Sequence, residues 1–211
     1  MPHKGKVKVK LLEFPDGSKE WRRCNKRHRD AGLPAVECAN GTKSWYVRGQ
    51  RHRDGGLPAI EDADGSKEWW VRGHLHRDGG LPAIEDANGS KEWWVRDQLH
   101  RDGGLPALEC ADGYKAWWVR GERHRDGGLP AVEWPNGYKE WWFWSTRITE
   151  AWAQQIHRLL ANRARRQRWR KARRLVELAK TRAFNEWFYA PEQMGGRWAK
   201  RALSHFVASL D

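Results

Sequence analysis

The tripeptide His-Arg-Asp occurs five times in this chain of 211 residues, at 28–30, 52–54, 76–78, 100–102 and 124–126. In protein kinases this tripeptide marks the catalytic loop, where the aspartate acts as a base. Here it returns every 24 residues, and the sequence has neither Asp-Phe-Gly nor a glycine-rich phosphate loop. Catalysis needs one unique constellation of groups. We therefore predict a non-enzymatic protein, in which each Asp caps backbone N–H groups of a turn and each His packs beside tryptophan.

Metal binding and acid–base chemistry by paired carboxylates are disfavoured by the same repetition. If each repeat adds two strands, successive histidines lie ~10 Å apart, too far to share a metal with bonds of about 2 Å. The recurrent acids resemble the carboxylate pairs of glycosidases, but lysines accompany each copy, which favours weak surface salt bridges. These acids include Glu61, Asp62, Glu85 and Asp86. No metal and no other cofactor is expected.

The net charge of +13 is distributed unevenly along the chain. Residues 17–136 contain 20 Lys/Arg and 19 Asp/Glu, whereas residues 137–211 contain 16 and 6. The repeats are therefore nearly neutral, and an acidic partner is expected to bind the last third of the chain.

The three cysteines do not form a disulfide framework. Cys38 and Cys110 occupy the same repeat position three repeats apart, roughly 29 Å by strand spacing, whereas a disulfide requires Cα atoms within about 7 Å. The odd count and the lack of a Cys-x-x-Cys motif favour reducing, intracellular surroundings. No signal peptide is expected after Met1, and no apolar run approaches the ~18 residues of a membrane span.

A 24-residue unit begins at Gly17, Gly41, Gly65, Gly89 and Gly113, and a sixth breaks off after Gly137. Each unit has two β-prone runs, such as 58–62 and 67–72, separated by Asp-Gly or Asn-Gly, a strong hairpin signal. Two of these turns begin with proline, which suits the first central position of a type I turn followed by a left-handed glycine. This three-residue loop sets Glu61 opposite Lys67.

The connection between repeats carries paired glycines and then Leu-Pro, and it is too short for a crossover helix. The sequence thus predicts a mostly β fold, an elongated antiparallel β-hairpin meander of roughly a dozen short strands over residues 1–144. Periodicity then changes to about 3.6, which predicts a small basic α-helical module over residues 145–211.

Adjacent tryptophans recur at 69/70, 93/94, 117/118 and 141/142. Neighbours on a strand point to opposite faces, so both faces of the sheet should carry an aromatic ladder. The favoured interpretation is that both ladders are structural. The alternative is that one ladder binds a partner, and one face could be covered by the C-terminal helices or by another protein.

The spacing Trp70-x-x-Gly73-x-x-His76-x-x-Gly79 resembles the MORN repeat, and the likeness covers residues 17–144. Arg after His and the added Leu-Pro-Ala resemble the divergent version found in large DNA viruses of amoebae. The resemblance implies a non-catalytic scaffold rod, and a minor virion (capsid-associated) protein. Its framework residues here are Trp70, Gly73, His76, Gly79, Trp94, His100, Trp118, Gly121 and His124.

A capped helix should begin at Thr149 and carry an apolar stripe of Trp152, Ile156, Leu159 and Leu160. The cationic run that follows has nine basic residues, no acidic one, and one tryptophan that could stack on bases. Its members are Arg158, Arg163, Arg165, Arg166, Arg168, Trp169, Arg170, Lys171, Arg173 and Arg174.

So much positive charge on one helix predicts a polyanionic partner. An acidic surface of another structural protein and the phosphates of DNA or RNA stay open as alternatives, while a membrane surface is less favoured. Edge strands of the meander could also pair between copies.

Overall fold

The computed structural model describes residues 8–161. In chain order its elements are β1 (Lys10–Glu13), β2 (Lys19–Arg23), β3 (Lys26–Arg27), β4 (Val36–Glu37), β5 (Lys43–Ser44), β6 (Tyr46–Val47), β7 (Gln50–Arg51), β8 (Ile60–Glu61), β9 (Lys67–Glu68), β10 (Trp70–Val71), β11 (His74–Leu75), β12 (Ile84–Glu85), β13 (Lys91–Glu92), β14 (Trp94–Val95), β15 (Gln98–Leu99), β16 (Leu108–Glu109), β17 (Lys115–Ala116), β18 (Trp118–Val119), β19 (Glu122–Arg123), β20 (Val132–Glu133), β21 (Lys139–Phe143), β22 (Thr146–Ile148) and α1 (Glu150–Ala161).

One antiparallel meander forms the body of the molecule. It is a 14-stranded sheet in which β1, β2, β4, β5, β8, β9, β12, β13, β16, β17, β20, β21 and β22 follow one another, with β3 paired to β2. At about 4.8 Å between strands the meander is ~58 Å long, although most strands have only two residues. The predicted fold class, a mostly β hairpin meander followed by a helix, is confirmed.

The predicted hairpin loop is also confirmed. Glu61 lies opposite Lys67, and the N–H of Gly65 donates to the carbonyl of Asp62 at 3.0 Å. Gly65 has a φ of 96°, a conformation that other residues adopt only with strain. The same pairing continues between repeats, because Glu85 faces Lys67 on one side and Lys91 on the other.

Side-chain hydroxyls tie each hairpin tip to the next. The Ser66 Oγ accepts the N–H of Ala87 at 3.0 Å, and Ser18, Thr42 and Ser90 bind Ala39, Ala63 and Ala111 in the same way. The next position equivalent to Ala111 is Pro135, which has no N–H. The serine that would bind it is replaced by Tyr114, whose ring packs edge-on against Trp134 with the ring centroids 4.6 Å apart. The two substitutions compensate for each other.

In repeats two to five the second run does not form one strand, contrary to our expectation for residues 67–72, whereas Lys19–Arg23 and Lys139–Phe143 are each continuous. The run at 67–72 is broken at Trp69, and Trp70–Val71 turns back to pair with His74–Leu75 in a separate small hairpin. The two turn residues, Arg72 and Gly73, both have positive φ, 52° and 84°, as a two-residue type I′ turn requires. Each repeat therefore adds a minor hairpin, which bonds to its neighbour through the N–H of Gly73 and the carbonyl of Arg51.

The predicted helix start is confirmed, and the part of the predicted helical module beyond residue 161 lies outside the described residues. Thr149 caps α1, because its Oγ1 accepts the N–H of Trp152 at 3.4 Å and its carbonyl accepts the N–H of Ala153. Ile156 and Leu160 of the predicted apolar stripe pack against Phe143. Leu159 of the same stripe is exposed, and Ala153 is buried instead. The predicted domain boundary at 144/145 falls in the turn between β21 and β22.

Candidate functional site

The arginine of each His-Arg-Asp triplet is the centre of a contact that recurs in every repeat. The guanidinium of Arg77 lies flat over Trp69, 3.6 Å from the ring centroid. Its Nη1 donates to the carbonyl of Pro82 at 3.1 Å and to Oε1 of Glu85 at 2.7 Å. We call this contact the Trp–Arg–Glu clasp. The five clasps are Trp21/Arg29/Glu37, Trp45/Arg53/Glu61, Trp69/Arg77/Glu85, Trp93/Arg101/Glu109 and Trp117/Arg125/Glu133.

The first tryptophan of each adjacent pair is fixed on all sides. The Trp69 ring is 6% exposed, and its Nε1 donates to the carbonyl of Gly56 at 2.9 Å. Its backbone N–H donates to Ala83, and its carbonyl accepts the N–H of His76. Ala83 has no exposed surface, which explains the Ala of Leu-Pro-Ala, because a larger side chain would not fit. Trp69 therefore joins the loop of one repeat to the hairpin of the next.

The clasp changes our interpretation of the charged residues. We expected the recurrent glutamates to form salt bridges with their lysine neighbours, but the close partner of Glu85 is Arg77. The Arg after His, which departs from the MORN pattern, has a framework role here. In all five repeats the arginine follows the tryptophan by eight residues and the glutamate follows the arginine by eight, as in Trp69, Arg77 and Glu85. This signal was present in the sequence, and we missed it.

The His–Asp pairs have an arrangement that we did not predict. We expected Asp to cap backbone N–H groups, whereas Oδ1 of Asp78 lies 2.9 Å from Nε2 of His76, which donates to it. The pairs at 28/30, 52/54, 100/102 and 124/126 repeat this contact within 2.9–3.1 Å. A histidine oriented by a carboxylate is half of a nucleophile-activating triad. Five equivalent copies nevertheless argue for a framework role.

The second tryptophan of each pair belongs to the minor hairpin. Nε1 of Trp70 donates to Oε2 of Glu68 at 2.7 Å, and Arg51 of the preceding repeat lies 4.9 Å from the ring centroid. Trp94 binds Glu92 in the same way. In the next repeat the glutamate is replaced by Ala116, and Nε1 of Trp118 has no acceptor among residues 8–161.

The remaining framework residues occupy turns and their supports. Gly73 and Gly121 are left-handed turn glycines of minor hairpins, and Gly79 begins the Gly-Gly loop after His76. In the fourth repeat Asp97 replaces the turn glycine. The Asp97 carboxylate binds His74 and the N–H of Leu75, and these hydrogen bonds hold the pKa of Asp97 below its usual value.

A polar groove of about 470 Å³ crosses the first repeats on the side of the His–Asp pairs. Its wall contains three arginines, two aspartates and the imidazole rings of the first two His–Asp pairs. Its lining is Arg23, His28, Asp30, Val47, Arg48, Gln50, His52, Asp54 and Arg72. Within the described part of the chain, no cluster of three or more His, Cys, Asp or Glu side chains could hold a metal.

The predicted polyanion site lies mostly outside the described residues. Arg158 is exposed in the last turn of α1. The remaining members lie beyond residue 161: Arg163, Arg165, Arg166, Arg168, Trp169, Arg170, Lys171, Arg173 and Arg174. No helix within residues 8–161 is long and apolar enough to cross a membrane.

All three cysteines are free, and the structure distinguishes their reactivity. Burial raises the pKa of the Cys110 thiol, and the nearby carboxylates of Asp112 and Glu92 raise it further, whereas Cys24 is exposed. Since the thiolate is the nucleophile, we expect Cys24 to be alkylated by iodoacetamide at pH 8 well before Cys110, as measured by mass spectrometry of quenched samples. In urea the two rates should converge. Equal rates in the native protein would contradict the burial of Cys110.

Comparison with known proteins does not assign a family. No protein-family model matches the chain, and no curated protein matches it. The repeat fold itself, a long antiparallel meander of paired strands, is consistent with a MORN-like repeat architecture.

Proposed function

We propose that this protein is a non-enzymatic structural scaffold whose repeat array acts as a protein-interaction rod. The observation that carries this proposal is the clasp. In all five repeats the residues capable of chemistry are used in the same internal contacts, with Arg stacked on Trp and bound to Glu. An array of this kind is stabilised by each repeat and its neighbours, which suits a spacer.

The cationic run from Arg158 to Arg174 then docks the rod on an acidic protein surface. Nine positive charges without an acidic residue repel one another unless a polyanion offsets them. The sequence likeness to divergent MORN repeats supports the further proposal of a minor virion component of a large DNA virus, kept in reducing intracellular surroundings until assembly. Detection of the chain at a constant ratio to the major capsid protein in purified particles supports that assignment, and its absence overturns it.

The second candidate function is nucleic-acid binding. Arg158 is exposed at the end of α1, where the cationic run begins, and the run includes Trp169, which could stack on a base. In this alternative, residues Arg163 to Arg174 bind phosphates.

A salt titration on labelled duplex DNA distinguishes the two functions. A protein that neutralises four phosphates should show a slope of about −3.6 in log K against log salt. The full chain is compared with Arg165→Glu, Arg166→Glu, Arg168→Glu and Arg170→Glu combined, and with a matched reversal of Lys43, Lys67, Lys91 and Lys139. The scaffold predicts weak DNA binding that the Arg variant changes no more than the Lys variant does. Steep, tight binding that only the Arg variant loses assigns nucleic acid as the partner.

A further inference from the structure

The chain's own helix shows how one face of the repeat is covered. Gln154 of α1 donates through Nε2 to the carbonyl of Gly128 at 3.1 Å. A Cβ at Gly128 would lie 3.2 Å from the carbonyl oxygen of Ala153, from Oε1 of Gln154 and from Cβ of His157. The helix backbone therefore approaches the Gly-Gly loop of the fifth repeat as closely as a glycine permits.

The neighbouring histidine is buried against the rings of Phe143 and Trp144. His124 is 1% exposed, and its ring is stacked on Trp144 at 4.4 Å and is edge-on to Phe143 at 4.9 Å. Phe143 in turn packs against Ile156 and Leu160 of the helix. The helix thus contacts two features of the repeat, the second glycine of the loop and the apolar surface beside the histidine.

Among residues 8–161, no helix covers this face in the first four repeats. Their histidines are 12–20% exposed, and no described atom lies within 4 Å of a Cβ placed on their second glycines, Gly32, Gly56, Gly80 and Gly104. Each of these glycine carbonyls accepts the indole N–H of a tryptophan, as Gly56 does from Trp69. In the fifth repeat the Gly128 carbonyl accepts both Trp141 and Gln154, so the other four carbonyls each have one acceptor position that no described residue fills.

The open repeats differ from the covered one in charge. The position of Trp144 is occupied by Arg48, Arg72, Arg96 and Arg120, all exposed, and Phe143 is replaced by valine. Among residues 8–161 the structure gives none of these four arginines an ion pair, whereas the clasp arginines are each bound to a glutamate. The groove aspartates Asp30 and Asp54 accept a hydrogen bond from histidine Nε2 and stay largely exposed. Each open repeat therefore presents one arginine that has no carboxylate partner among the described residues.

We propose that the histidine–glycine face of repeats one to four binds an acidic α-helix of a partner protein. The helix sets a small residue and a side-chain amide against Gly56 or its equivalents, as Ala153 and Gln154 do on Gly128, and it places carboxylates against the arginine row. A second copy of α1 fits less well, because its Ile156 and Leu160 pack against Phe143, and the open repeats have the smaller valine at that position. This inference rests on the proposed scaffold function and names the chemistry of its partner.

The probe is a fluorescent peptide of residues 149–161 with Leu160→Glu, titrated with the full chain by fluorescence anisotropy. We expect binding that weakens about tenfold when Arg48→Gln, Arg72→Gln, Arg96→Gln and Arg120→Gln are combined, since interface ion pairs are lost at all four sites. The matched control, Lys43→Gln, Lys67→Gln, Lys91→Gln and Lys115→Gln, removes the same charge from the same repeats and should bind normally. A peptide with Ala153→Leu in addition should not bind, because a large side chain cannot approach the glycine.

A second variant tests whether the cationic run contributes to binding of the peptide. The chain with Arg165→Glu, Arg166→Glu, Arg168→Glu and Arg170→Glu should bind the peptide as the unaltered chain does. Failure of the DNA test can therefore be distinguished from failure of this test. No binding, equal binding of the Ala153→Leu peptide, or equal loss in the Lys variant would each overturn the proposal. Self-association that the unaltered α1 peptide inhibits would instead identify a second copy as the occupant.

Discussion

Trp93→Ala is expected to destabilise the protein by about 3–5 kcal/mol, the range for truncating a buried tryptophan. Trp93 is 5% exposed in the fourth repeat, carries Arg101 over its face at 3.6 Å, and donates from Nε1 to the carbonyl of Gly80. The substitution leaves a cavity and removes the stacking partner of the guanidinium. Urea denaturation followed by circular dichroism measures the loss in the free energy of unfolding.

The neighbouring tryptophan is the matched control. Trp94→Ala removes a ring that is half-buried in the minor hairpin, and it should cost about 1 kcal/mol. Trp93→Phe keeps an aromatic face for Arg101 but loses the hydrogen bond to Gly80, so its cost should lie between the two. Equal costs for Trp93→Ala and Trp94→Ala would contradict the assignment of the first tryptophan to the framework.

Arg101→Ala is expected to destabilise the protein by about 2–3 kcal/mol, which is large for a side chain at the surface. The guanidinium stacks on Trp93 and donates to the carbonyl of Pro106 at 3.1 Å and to Glu109 at 2.7 Å. Stacking contributes ~0.5–2 kcal/mol, and a hydrogen bond to a charged group ~1.5–3 kcal/mol. Partial exposure of Glu109 keeps the expected total at the lower end of these sums.

Arg101→Lys separates charge from geometry. Lysine keeps the positive charge but lacks the planar fork that stacks and donates in two directions, so we expect it to recover less than half of the loss. Exposed Arg96→Ala, with no clasp contacts, should change the unfolding free energy by no more than ~0.5 kcal/mol. If Arg101→Ala were as mild as Arg96→Ala, the clasp would be a contact without energetic weight.

The main hairpins were predictable because their determinants are local. Pro15 and Pro135 suit the first central position of a type I turn, and Asp-Gly supplies the left-handed residue that closes the loop. Once the loop length is set, strand register follows, and Glu61 faces Lys67. The helix start was equally local, because Thr149 precedes an apolar stripe of period 3.6.

The minor hairpins could not be read from propensity. Their turns place arginine at a positive φ, as at Arg72 and Arg96, and arginine has no preference for that region. The break at Trp69 and the hydrogen bond from the N–H of Gly73 to the carbonyl of Arg51 help to hold the chain there. The break of the strand at Trp69 depends on these contacts with other repeats, which a reading of residues 67–72 alone does not contain.

The repetition of His-Arg-Asp favoured a framework role, which stays a prediction. We expected the structural contacts from His and Asp, whereas Arg77 is the residue that contacts both Trp69 and Glu85. The invariance of the first tryptophan across repeats could have shown this. The first tryptophan is present in every repeat, including the first two, at positions 21 and 45. The residue after it is Arg22 or Tyr46 in those two repeats, so the second tryptophan is the dispensable one.

We conclude that the arginine of the recurring triplet stabilises the framework through its tryptophan. A double-mutant cycle on Trp93→Ala and Arg101→Ala, measured by urea denaturation, tests this conclusion. The clasp predicts a coupling energy of about 1–2 kcal/mol, because each substitution removes the same stacking contact. Strictly additive effects, with coupling near zero, would show that Arg101 and Trp93 act independently and would contradict the account.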